Sequence, residues 1–116
     1  MKSLLFICLA ATVTAANYEP KWAGSVPKRV IHHTDPSGAT LVKAVEALKA
    51  GDKLEIAAGT YSVERMWDIG VSGTADAPIW IVAAKDAQVI ITRPDDKQNV
   101  LNVGHGGSVK FLCLRG

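Results

Sequence analysis

A mainly β chain with one amphipathic helix is the fold class the sequence predicts, and three observations predict it. Short β-prone runs recur at intervals of about ten to twelve residues, with turn-forming residues between them. One segment only, residues 39–50, repeats its apolar side chains at helical spacing. The Asn-Gly and Asp-Gly dipeptides that close two-residue hairpins are absent, and runs such as Ile79-Trp80-Ile81-Val82 are apolar on both parities, as strands covered on both faces are. Two arrangements satisfy this pattern: an antiparallel sandwich or barrel, and the stacked strands of a coiled solenoid.

Composition limits the function classes. With 48% hydrophobic and 21% charged residues among 116, the chain is too apolar for a disordered charged tail. Two cysteines cannot staple a small fold at several points. A net charge of +2 supplies no basic footprint for nucleic acid, so none is expected as a partner.

The elements follow in order. Residues 1–16 read as a signal peptide: Lys2 is a positive n-region, Leu4 to Ala11 an apolar h-region, and Thr14, Ala15 and Ala16 suit signal peptidase. The apolar run is shorter than the ~20 residues of a membrane-spanning helix, so no stable membrane anchor is expected and the chain reads as secreted, extracellular or periplasmic. Removing this segment leaves Cys113 as the sole thiol, placed in the apolar run Val109 to Leu114 where cysteine serves as a small buried hydrophobe. Residues 17–38 carry Pro20, Pro27 and Pro36 and no periodicity, and read as an extended leader with a short strand at Val30-Ile31. Residues 39–116 form the remaining unit.

Within that unit Leu41, Ala44, Val45 and Leu48 make one apolar stripe on a helix from Ala39 to Ala50, with Lys43, Glu46 and Lys49 facing water. Ser37 suits its N-cap, and Gly51 the left-handed residue that ends it. Strands are expected at 53–57, 66–69, 79–82, 88–92, 100–103 and 109–114, separated by turns at 58–60, 70–78, 85–87, 94–96 and 104–108.

The passage Gly51-Asp52-Lys53-Leu54-Glu55-Ile56-Ala57-Ala58-Gly59-Thr60-Tyr61 after an amphipathic helix, followed by Ser72-Gly73-Thr74-Ala75-Asp76-Ala77-Pro78-Ile79, resembles the cap and first coils of secreted proteins of the pectin-lyase-like superfamily. The resemblance covers 39–116 and implies a right-handed parallel β-helix with an N-terminal capping helix, truncated after two to three coils. It places Leu41, Val45, Leu48, Gly51, Asp52, Gly59, Tyr61 and Pro78 in structural cap and turn roles. It further implies that the chain is a fragment whose parent is a polysaccharide lyase of the alginate or chondroitin type, acting on an acidic polysaccharide, with calcium as a cofactor of that full-length parent and no cofactor in this chain. The competing class is a non-catalytic carbohydrate-binding or surface β-helix, and a third reading is an independent antiparallel β domain. An uncovered C-terminal edge with Phe111, Leu112 and Leu114 is expected to favour self-association and to leave the fragment poorly stable.

No catalytic or substrate-binding residue emerges. Uronate elimination needs a base and a cationic or metal stabiliser of the anion, and the superfamily's versions lie on later coils onto which no residue here maps. Lys85, Arg93, Lys97, Lys110 and Arg115 are candidates for a basic groove, although solvated charge is their ordinary role. Asp95 and Asp96 could supply calcium oxygens but suit a turn equally well. His32, His33 and His105 lack the spacing of a zinc site. Asn99 and Asn102 fit turn hydrogen bonds, and Trp22 and Trp80 fit packing or a sugar platform.

Overall fold

The computed structural model describes residues 19–116, so the signal-peptide reading of 1–16 lies outside the described residues. A 3-10 turn at Lys21–Gly24 precedes β1 (Arg29–His33), α1 (Gly38–Glu46), β2 (Asp52–Ile56), β3 (Gly59–Ser62), β4 (Trp67–Ile69), β5 (Ile79–Ala83), β6 (Val89–Thr92), β7 (Leu101–Val103) and β8 (Leu112–Arg115). The strands form a four-stranded sheet in the order β1-β2-β5-β8 and two two-stranded sheets, β3-β6 and β4-β7. Every strand pairing is parallel.

Alternation in β2 sets the two faces of the large sheet. Asp52, Leu54 and Ile56 are buried and Lys53 and Glu55 point away. Register carries this across the sheet, so Ile31, Leu54, Ile81 and Leu114 form one inward row. Opposite them lie Tyr61 and Val63 after β3 and Trp67 and Ile69 from β4, and Leu41, Val45 and Leu48 close the same core from the helical segment. The helix contacts β3 and β4.

The fold class expected from the resemblance is corrected here. In place of a mainly β, right-handed parallel β-helix solenoid cut off after two to three coils, the described chain is a mixed α/β fold: one helix packed on three small parallel sheets, of which just one exceeds two strands. The motifs that carried the resemblance make local demands, a helix stop, a tight turn and a buried ring, and a mixed α/β domain meets those demands equally well. The antiparallel reading also fails, because no antiparallel pair occurs among the described residues.

Local differences have identifiable causes. The helix stops at Glu46, four residues before Ala50, where Leu48 N–H bonds the Val45 carbonyl at 3.1 Å in a tightened last turn. Ser37 occupies the N-cap position without a side-chain cap bond; its own N–H donates to Asp35 Oδ1 at 2.9 Å. The turn expected at 58–60 is largely replaced by a strand, β3, which runs Gly59–Ser62 and pairs with β6. The last strand starts at Leu112, because Phe111 sits at φ +51°, a left-handed conformation that no strand continues through.

Candidate functional site

The outward face of the four-stranded sheet carries two registered rows, Val30-Lys53-Trp80-Cys113 and His32-Glu55-Val82-Arg115. In the second row Glu55 takes His32 Nδ1 at 3.2 Å on one oxygen and Lys53 Nζ at 3.0 Å on the other. Two basic groups share one carboxylate on an open face, an arrangement that fixes side chains on the sheet and presents no nucleophile.

Trp80 stands on this outward face yet is 4% exposed. The cover is the leader. Trp80 Nε1–H donates to the Ala23 carbonyl at 3.3 Å, Trp22 meets Phe111 edge to face with centroids 5.5 Å apart, and Arg115 Nη2 reaches Glu19 Oε1 at 2.6 Å. The neighbouring Cys113 sulfur, and after it Glu19, hold the Arg115 guanidinium above its ordinary pKa. A groove beside the leader is bounded by Ser25, Lys53, Glu55, Val82, Lys85 and Arg115.

At one end of the domain the outer edges of β6, β7 and β8 have no strand partner among the described residues. Between them is a largely apolar cleft walled by Trp67, Ile81, Val89, Ile91, Leu101 and Leu114. Ile90, Val103 and Leu114 are each close to half exposed at these strands.

The candidate residues from the sequence are dispersed. Lys85 and Arg115 share the groove, whereas Arg93 donates to the Asn99 carbonyl at 3.0 Å and Lys110 N–H donates to Ser72 Oγ at 3.0 Å in other loops. Lys97 and Asp95 close a turn, Lys97 N–H donating to Asp95 Oδ1 at 3.0 Å. Asn99 Nδ2 donates to Asn102 Oδ1 at 3.2 Å. His32 faces outward, His33 is buried 5.9 Å from the Tyr61 ring with Nε2 unpartnered, and His105 lies in the 104–107 loop. No group of three or more metal-ligating side chains occurs among the described residues.

The cap and turn residues have the following places. Leu41, Val45 and Leu48 are in the core, and Pro78 is fully buried with its carbonyl accepting Gly51 N–H at 3.1 Å. Gly51 lies at φ +92°. Gly59, at φ +156°, opens β3 with its N–H on the Gln88 carbonyl at 3.1 Å. Tyr61 donates its hydroxyl to the Ala57 carbonyl at 2.8 Å. Asp52 accepts Arg29 at 3.0 and 2.7 Å and Lys49 N–H at 2.8 Å.

Sequence reasoning missed Asp68, whose two oxygens accept His105 N–H at 2.9 Å and Gly106 N–H at 2.8 Å. Those two donors hold its carboxyl below the usual value. The signal was available: a glycine-rich turn exposes backbone donors that need an acceptor, and Asp68 is the polar residue between buried Trp67 and Ile69. The leader's anchors were missed because they join residues far apart in the chain, from 57 for Trp80 and Ala23 to 96 for Arg115 and Glu19.

Comparison with family models, curated proteins and solved structures finds no match for this chain. The mixed α/β architecture overturns the functional reading together with the fold: one helix on three small parallel sheets does not fit a fragment of a pectin-lyase-like polysaccharide lyase or of a carbohydrate-binding β-helix.

Proposed function

We propose that this chain is an exported association module that pairs with a second copy of itself through the end formed by β6, β7 and β8. Export is supported by the three-part pattern of residues 1–16. The observation that carries the association reading is the coincidence of three unpaired parallel-sheet edges around one apolar cleft. Unpaired edges present backbone donors and acceptors to any incoming strand, and an apolar floor beneath them adds burial to the pairing. A twofold axis at this end brings the β8 edges of two copies together antiparallel, a closed contact that leaves neither β8 edge free for a third copy. Leu114, inward-facing but 48% exposed, lies at the centre of that contact.

Sedimentation of the chain from Asn17 onward, across micromolar to submillimolar concentration, tests the proposal. The expected result is a monomer–dimer equilibrium that Leu114→Lys weakens at least tenfold, since a charge is then desolvated at the contact. A monomer throughout, or a dimer indifferent to Leu114→Lys, would refute it.

A further inference from the structure

We propose that the outward face of the four-stranded sheet around Trp80, Phe111 and Arg115 is a docking site for a polypeptide segment carrying an acidic residue followed three positions later by an aromatic one, and that the chain's own leader occupies it in cis. This surface shares β8 with the edge invoked above but uses its other face, Arg115 pointing outward where Leu114 points inward.

The leader supplies the template. Glu19 precedes the Lys21–Gly24 turn, Trp22 and Ala23 lie within it, and each anchor meets a matching group: carboxylate on Arg115, indole against Phe111, and the Ala23 carbonyl on the Trp80 indole N–H. The receiving side is built. Trp80 is buried on a face whose row neighbour Lys53 is polar, and its one donor points at the leader, so it needs an acceptor from whatever lies over it. Phe111 is held at φ +51°, a conformation uncommon for a bulky residue, with its ring against Trp22.

The occupant is attached lightly. Backbone-to-backbone hydrogen bonds of residues 20–25 stay within their own turn, Ala23 N–H to the Pro20 carbonyl at 2.9 Å and Ser25 N–H to the Trp22 carbonyl at 3.2 Å. The first backbone tie to the sheet region comes at Lys28, whose N–H donates to the Gly51 carbonyl at 2.9 Å. Both members of the Glu19–Arg115 pair are about half exposed, at 54% and 46%. The intervening Val26 is 86% exposed, so the link holds the leader in place without packing it down. A segment fixed by two side-chain anchors, one carbonyl and no ladder bonds exchanges with a competitor that offers the same anchors.

The test uses a fluorescent peptide of residues 19–27 titrated into the chain from Asn17 onward. In the wild type the tethered leader competes, and binding is weak. Trp22→Ala, which strips the aromatic anchor from the leader and leaves the sheet intact, is expected to tighten peptide binding about tenfold. Glu19→Arg, a second leader variant independent of the first, is expected to tighten it as well. Adding Arg115→Glu to Trp22→Ala is expected to weaken binding about fivefold, the scale of one exposed ion pair, and a peptide with Glu19→Arg is expected to restore it. Absence of peptide binding to both leader variants, or binding unaffected by Arg115→Glu, overturns the proposal. Dimerisation through β8 is read separately by Leu114→Lys, so either proposal can fail alone.

Discussion

Asp52 is 4% exposed and satisfies three donors: both ends of the Arg29 guanidinium and the Lys49 backbone N–H. The last of these matters most for stability, because it closes the turn that follows the helix, while Arg29 keeps 57% of its side chain in water. Asp52→Ala is expected to cost about 2 kcal/mol in urea unfolding. Arg29→Ala is expected to cost clearly less. The Arg29 hydrogen bond, with the Lys49 N–H, lowers the Asp52 carboxyl below its ordinary pKa against the opposing effect of burial. A carboxyl whose folded pKa lies below its unfolded value stabilises the fold above about pH 4 and loses that contribution as pH falls through the folded value. Unfolding free energy is therefore expected to be level above about pH 5 and to decline below pH 4, with a shallower decline in Asp52→Asn.

At the scale of elements, β4 and the 104–107 loop are joined through Asp68, a strand residue acting as the loop's acceptor. Asp68→Asn keeps the shape and loses the charge. Faster amide hydrogen exchange at His105 and Gly106 is expected, and the loosening of this loop expected of the wild type below about pH 4 should be absent from the variant. The helix is seated by Gly38, where an added Cβ would run into the Ser62 carbonyl of β3. Backbone cannot yield there as a side-chain tip would, so Gly38→Ala is expected to cost about 2–3 kcal/mol in thermal unfolding, while Gly24→Ala, with open space around it, is expected to be neutral. Much of this level was visible in the sequence. Periodicity located the helix, polar–apolar alternation located β2, and β-branched runs located β5 and β6, the strands within a residue or two. The β3 strand escaped because Gly59 and Thr60 are turn residues by composition, and only pairing with Val89 and Ile90 makes them a strand.

For the whole molecule, sequence reasoning reached the inward-facing residues, and then overreached. Gly51-Asp52 and Gly59-Thr60-Tyr61 encode a turn, a left-handed glycine and a buried ring with a satisfied hydroxyl. None of these specifies how many strands each sheet will hold, and the architecture inferred from them does not stand. The outward-face site was invisible for a related reason: Trp80 reads as one more core residue, and only the return of the leader distinguishes it. The uniformly parallel pairing has a kinetic consequence. Arg29 and Asp52, from the strand pair closest in the chain, are already 23 residues apart, and no hairpin offers an early, local reward. Such a topology folds slowly because each pairing must first close a long loop. If residues 1–16 direct export, as proposed above, that delay is useful: a translocation channel takes an unfolded polypeptide, and slow closure of β1 on β2 would keep the chain unfolded until it has crossed.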